Sequence, residues 1–206
     1  MRSHRQKDYH HGSLRRALIE AAVKAIAKRG IDALNLRELA GRAGVSPGAP
    51  YHHFANRGEL LRAIAEEGFA KFESRLIAER DAAPADAESR LEALGRAYLS
   101  FAISHPGYFR VMFHGDAKPS DPTQTGLRAF HLLRDAVVDC QRDGPAPGVD
   151  LAPLVLTAWS AVHGLATLWV DGALPFEGIE PERLAPQIAH MVSRMVAALA
   201  RDAATT

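Results

Sequence analysis

The sequence predicts an all-α fold of about nine helices. Three observations carry that expectation. No stretch alternates apolar and polar residues with period two, and no hairpin signal joins two such stretches. Apolar residues recur instead at helical spacing. Capping and breaking residues interrupt the chain at helix-length intervals. The 206 residues, 47% apolar and 24% charged, suit a globular chain with a sizeable core and exclude disorder or a fibrous repeat as a whole-chain reading. A single cysteine, Cys140, excludes an intrachain disulfide scaffold and a Cys-rich zinc module.

The elements follow in order. Ser13 can cap a helix ending near Arg29 with Gly30 as its stop; Ile19, Val23 and Ile26 share one face of it, with Ala22 and Ala25 beside them. Asn35 can cap a short helix, 36–43, ended by Gly44. Ser46 can cap another that runs to Phe54, with Pro47 at its first position, where a missing N–H costs nothing. Asn56 caps a long helix over 57–80. Further helices are expected from Pro84 to Ser104, over 108–113, up to Arg142, over 151–170 and over 181–201. A loop at 116–123 and a Gly- and Pro-rich linker at 143–150 separate them.

Residues 151–170 contain no charge over 20 positions, the length of a membrane span. Pro153, Thr157, Ser160, His163, Gly164 and Thr167 are too polar or small for a lone span, and both flanks, Asp150 and Asp171, are acidic. A helix apolar all round is then a buried one, or one shared between two subunits. In the last helix Leu184, Ile188, Val192, Met195 and Leu199 form a regular seam. A homodimer built through 151–170 and 184–199 is expected, with no membrane association. The alternative is that both helices close the monomer's own core. The basic start of the chain lacks an apolar run of the secretory type, so a cytoplasmic location is expected.

The net charge of +1 hides an asymmetry. Residues 1–57 carry 11 Lys+Arg and 4 Asp+Glu, a net of +7; the remaining 14 and 20 give −6. A basic N-terminal quarter on an acidic body suits contact with a polyanion by the first part alone. The same quarter holds two short helices flanking Gly44, with Ala40 four residues earlier. Small Ala40 lets the second helix cross closely, and Gly44 can take positive φ in the turn, as helix–turn–helix geometry needs. Leu39, Ala43 and Val45 fill the wedge. The second helix is the candidate for the major groove.

The stretch from Gly30 to Leu61, GIDALNLRELAGRAGVSPGAPYHHFANRGELL, resembles the DNA-binding domain of TetR/AcrR-family transcriptional regulators over roughly residues 10–62. His105-Pro-Gly-Tyr-Phe-Arg-Val-Met-Phe113 and Trp159-x3-His163-Gly164-Leu165 resemble the C-terminal domain of one branch named for its Trp, His and Gly. The resemblance implies an all-α homodimer, a helix–turn–helix part at 1–57 and an effector-binding and dimerisation part at 58–206. The chain departs from many relatives at Arg57, where Lys is frequent, and at His52, where Arg is common.

Roles follow for particular side chains. Tyr51 can set its hydroxyl on a phosphate, and His52, turned about 100° away on the helix, can reach a base edge or a phosphate. Asn35, Ser46 and Arg57 lie at or near helix N-termini, which seat phosphates well, and they can equally serve as simple caps. Pro47 and Gly48 belong to the same DNA-facing turn, and Arg37 is a further phosphate or base candidate. Arg2, Arg5 and Lys7 form a basic arm suited to the minor groove. His53 and Phe54 are expected to face inward.

No catalytic group, metal site or cofactor is expected: the paired histidines at 10–11 and 52–53 lack one-face spacing, and no phosphate-binding Gly-rich loop or nucleophile motif occurs. Tyr98, Phe101, Phe109, Met112, Phe113, Phe130 and Trp169 supply an aromatic-rich interior, and His163 follows Trp159 by one turn. The family pattern implies that some of these, Trp159 and His163 included, line a small-molecule effector cavity. The expected function is a regulator of the repressor type. It would be released from a palindromic double-stranded DNA operator by a small, largely apolar effector. The alternatives are a helix–turn–helix DNA binder without an effector pocket and a helical small-molecule-binding protein.

Overall fold

The computed structural model describes residues 3–115, 126–142, 150–174, 178 and 180–202, with side chains described between 14 and 199. Among them are eight α-helices, one 3-10 helix and no strand: α1 (Ser3–Arg29), α2 (Leu36–Arg42), the 3-10 helix Ala49–His52, α3 (Arg57–Ala82), α4 (Ala87–Ser104), α5 (Pro106–Met112), α6 (Gly126–Arg142), α7 (Leu151–Val170) and α8 (Pro181–Asp202). The all-α expectation holds. The loop expected at 116–123 and most of the linker at 143–150 lie outside the described residues.

Two compact units are present. One comprises Met1–Gly68 with His105–Asp121, the other Phe69–Ser104 with Pro122–Thr206. Compactness thus divides the chain inside α3 and returns α5 to the N-terminal unit.

In the first unit α1 packs on α2 and α5 and buries Leu18, Ile19, Ala22, Ala25 and Ile26, while Leu36, Leu39 and Ala40 of α2 and Leu60, Leu61 and Ile64 of α3 are buried as well. Two boundaries differ most from the sequence expectation. The first helix begins at Ser3, not at a Ser13 cap: the preceding residues include no proline, and the single Gly12 costs only about 1 kcal/mol in a helix interior. The side chains of the expected arm, Arg2, Arg5 and Lys7, lie outside the described residues. The second boundary is at the reading turn. Ser46 caps no α-helix, and Pro47 is not its first residue. The helical stretch is a four-residue 3-10 helix with Gly48 at its N-cap and no side-chain cap. Pro50 supplies the reason. It has no N–H to give to the Ser46 carbonyl, so the turn closes by shorter bonds, Ala49 N to Ser46 O at 3.0 Å and Tyr51 N to Gly48 O at 3.1 Å.

In the second unit α4 packs against α6, α7 and α8. A Cβ placed on Gly95 would lie 3.3 Å from that of Ala189, which shows how closely α4 and α8 approach. The inward face of α8 is small: Ala185, Ala189, Ser193, Val196 and Ala197 are buried. Its expected seam, 184–199, lies on the adjoining flank, with Met195 and Leu199 exposed and Leu184, Ile188 and Val192 half-buried. The α7 helix buries Leu154, Val155, Ala158, Val162 and Ala166 but leaves Leu156 and Leu168 about half exposed. It is long and apolar enough to cross a membrane, with mean hydropathy 1.5, and only 28% of it is buried within the chain.

Candidate nucleic-acid interface

The reading head is assembled from local rules. Asn35 is extended (φ −133°, ψ 121°) and its Oδ1 accepts the Arg37 N–H at 2.9 Å, which starts α2. Gly44 takes φ +68° in the turn, as its position demands, and Ala40 is fully buried beneath it. The Val45 N–H donates to the Ala40 carbonyl at 3.0 Å, closing the helix–turn–helix corner. After the 3-10 helix, Phe54 is 1% exposed and anchors the turn. Asn56 Oδ1 then accepts the Glu59 N–H at 3.0 Å, while the Glu59 carboxylate accepts the Ala55 N–H. This reciprocal capping starts α3.

Ser46, Pro47, Gly48, Tyr51 and His52 all face solvent on one exposed turn, with Asn35 and Arg37 exposed at the start of α2. Tyr51 is 47% exposed, more than packing alone would leave a tyrosine in a folded core. Arg37 has no ion-pair partner among the described residues. Arg57 differs. Its Nη2 donates to the Ile31 carbonyl at 2.9 Å and lies 3.8 Å from Asp32, and its Nε is buried without a partner. The guanidinium is thereby tied to the α1–α2 connection. Neighbouring cations are similarly engaged: Arg29 and Arg42 both hold Glu38, at 2.9 and 2.8 Å, and the Arg29 hydrogen bond foremost draws that carboxyl below its ordinary pKa.

Sequence reasoning missed three members of this unit. Arg15 lies over the Phe54 ring at 5.2 Å, a cation–π contact that covers the back of the reading turn. Tyr108 and Arg110 of α5 bind the head across more than forty residues of chain: the Tyr108 hydroxyl donates to Glu67 Oε1 at 2.6 Å, and Arg110 Nη1 donates to the Ile26 and Ala27 carbonyls at 3.1 and 2.9 Å. No local pattern announces such pairings; only the fold brings them together.

The residues expected around an effector fall into two groups. Tyr98, Phe101, Phe130, Trp159 and His163 gather in the second unit. Phe72 joins Tyr98 and Phe101 at ring distances of 5.0 and 5.1 Å, Phe130 meets Trp159 at 5.8 Å, and Trp159 meets His163 at 5.6 Å. Tyr98 Oη and His163 Nδ1 are 2.7 Å apart. Burial lowers the His163 pKa and so favours neutral imidazole, and burial raises that of Tyr98, which keeps its proton. The neutral ring and the hydroxyl pair in either tautomer, Nδ1 accepting the Tyr98 proton or Nδ1–H donating to Oη. Phe109, Met112 and Phe113 belong instead to the first unit. There Phe109 and Phe113 pack at 5.2 Å, and Met112 fills the space over Gly68. Trp169 lines a wholly apolar cleft with Leu99, Ile103, Leu165 and Leu184, of about 10 Å³, room for one water molecule.

Comparison with known proteins agrees with this architecture. Residues 18–64 match the model of bacterial regulatory proteins of the tetR family, and residues 91–203 match that of the tetracyclin repressor-like C-terminal domain. The HTH-type transcriptional repressor KstR2 of Mycobacterium tuberculosis is 34% identical over 110 residues. That match spans about half of either protein, 52% of each. A solved protein of unknown function from Rhodococcus sp. RHA1 is 35% identical with a TM-score of 0.74, covering 92% of this chain and 98% of that one. The regulator FadR of Bacillus subtilis, solved in complex with stearoyl-CoA, is similar in fold at 17% identity and a TM-score of 0.69, over 86% of this chain and 96% of its own. With one family model covering more than half of its length and another covering the helix–turn–helix, the chain belongs to the tetR family of bacterial regulatory proteins.

Proposed function

We propose that this chain is a homodimeric transcriptional regulator of the repressor type, which binds a palindromic operator through residues 36–54 and leaves it when a small, largely apolar effector enters the C-terminal bundle. The functional division is 1–57 for DNA and 58–206 for effector and partner subunit. The observation that carries the reading is the exposed turn Ser46–His52 beside Arg37 and Asn35, set on a helix–turn–helix corner in a quarter of the chain with net charge +7. Backbone N–H groups and the Tyr51 hydroxyl there suit phosphates, and His52 suits a base edge.

The dimer reading rests on the apolar faces of α7 and α8. Leu156, Leu168, Met191, Met195 and Leu199 stay exposed in the single chain, and large apolar side chains left open on two neighbouring helices suit a partner surface. A partner subunit covers such a surface as well as lipid would, and the acidic flanks of α7 favour the partner. The effector reading rests on the Tyr98–His163 pair set among the aromatic side chains of Phe72, Phe130 and Trp159, the mix of polar and aromatic groups from which small-molecule sites are built. The stearoyl-CoA bound by the similarly folded Bacillus subtilis protein makes an acyl thioester a reasonable first compound to try. The same pair supports placing the C-terminal part in the branch marked by Trp159, His163 and Gly164. As a regulator the protein is cytoplasmic, carries no resident cofactor and is not an enzyme.

The deciding experiment is selection of duplexes from a random pool by the purified protein. An enriched inverted repeat, bound more weakly by Arg37→Ala with a salt slope flatter by about one unit, is the expected result. Failure to enrich any sequence would remove the reading.

A further inference from the structure

We infer that Arg110, on α5, is a positioning residue for DNA recognition: it fixes where α1 ends and so where the turn leading to α2 begins. The inference rests on the regulator reading above and adds a residue far outside the helix–turn–helix. The last carbonyls of a helix have no partner within it. In α1 the Ala27 carbonyl receives an Arg110 nitrogen at 2.9 Å, and the same nitrogen reaches the Ile26 carbonyl at 3.1 Å, which also accepts the Gly30 N–H at 2.9 Å. The positive charge of Arg110 also suits the negative end of the helix dipole. Immediately beyond, Gly30 turns the chain at φ +80°, and Arg57 holds the Ile31 carbonyl at 2.9 Å. Two guanidinium groups, from α5 and from the start of α3, therefore bracket the bend that delivers Asn35 and Arg37 to the start of α2.

The helix carrying Arg110 is itself seated firmly on the head. Gly107 lies so close to the Val23 carbonyl oxygen that any side chain there would collide with backbone. On α5's other contact, a Cβ on Gly68 would meet Met112 at 2.9 Å and Tyr108 at 3.2 Å, so glycine is what lets α3 come this near. The Tyr108 hydroxyl binds Glu67 at 2.6 Å. Arg110 thus stands on a fixed platform and is not a swinging surface cation. Through one nitrogen on two main-chain carbonyls of α1, it touches the segment whose placement sets α2, without being on the DNA-facing turn.

The test uses the full chain with Arg110→Gln and Arg110→Lys. Hydrogen exchange is followed in peptides covering 22–45 and, as an internal control, 181–202. Affinity is measured for duplexes selected by the wild type and for unselected duplex, each across a salt series. Arg110→Gln is expected to speed exchange in 22–45 by tenfold or more with 181–202 unchanged. It should weaken selected duplexes by tenfold or more while unselected duplex and both salt slopes stay within twofold of wild type. Arg110→Lys, which keeps the charge and one donor, is expected to recover part of both losses and keeps the question open to experiment should the Gln variant not fold. Exchange and affinity both within twofold of wild type would overturn the inference, as would a salt slope flatter by about one unit, the mark of a direct phosphate contact. Unchanged exchange in 22–45 overturns it even if the wild type selects no DNA; faster exchange in that case upholds the capping and removes only the regulator reading.

Discussion

His163 is held neutral by burial beside Tyr98 Oη. Its pKa is lowered from an ordinary value of 6.5, so the unfolded chain takes up a proton that the native chain resists. Stability is therefore full above about 6.5 and falls as pH drops toward the native value. Denaturant midpoints at pH 7.5 and 5 should show a smaller loss in His163→Gln than in the wild type; equal losses would place the acid sensitivity elsewhere. Tyr98 and Tyr108 act in the opposite sense. Burial raises both above 10, so they stabilise the fold below that value and the contribution is lost as pH rises beyond it. At Gly107 the argument is steric: with the Val23 carbonyl so near, Gly107→Ala should cost about 1–3 kcal/mol by overpacking, read from the urea midpoint. Phe54→Ala removes a side chain 1% exposed and should cost about 3–5 kcal/mol, enough to disorder the reading turn.

At the scale of elements, Arg57 and the 3-10 helix show how a shared motif acquires a particular geometry. A phosphate seat at the start of α3 would make Arg57→Ala flatten the salt slope by about one unit. Tied to Ile31 O instead, the residue should affect affinity with the slope preserved, and a salt series on this single variant separates the two. The Asn56–Glu59 capping predicts that Asn56→Ala costs about 1 kcal/mol, seen as a lowered thermal midpoint. Asn35 and Asn56 were legible as caps because capping is decided within four residues. Ser46 was misread because the outcome depended on Pro50, whose missing N–H vetoed the α-helix that Ser46 and Pro47 invite.

At the scale of the whole molecule, α7 and α8 leave Leu156, Leu168, Met191, Met195 and Leu199 exposed in the single chain. Met195→Asp or Val192→Asp should place unpaired charge in the proposed subunit seam. Light scattering is expected to show monomers with an unchanged helical spectrum and weak affinity for a palindrome, since the two half-sites would no longer be bound in concert. Variants that remain dimeric would move the interface to another face.

The sequence by itself determined the all-α class, the caps of α2 and α3, the positive-φ Gly44 and the basic quarter. Each of these follows from residues close together in the chain, where propensity, charge and capping act. It also marked the aromatic residues, but not which of them share a space. Only the tertiary structure separated Phe109, Met112 and Phe113 from Tyr98, Phe101, Phe130, Trp159 and His163, drew Arg57 inward, and set Arg110 on the end of α1. Those outcomes depend on helices far apart in sequence meeting at close range, and a contact of that kind leaves no periodic trace in either segment. Glycines at 68 and 107 permit the approach, yet in the sequence a glycine that lets α5 dock looks the same as one that merely ends a helix.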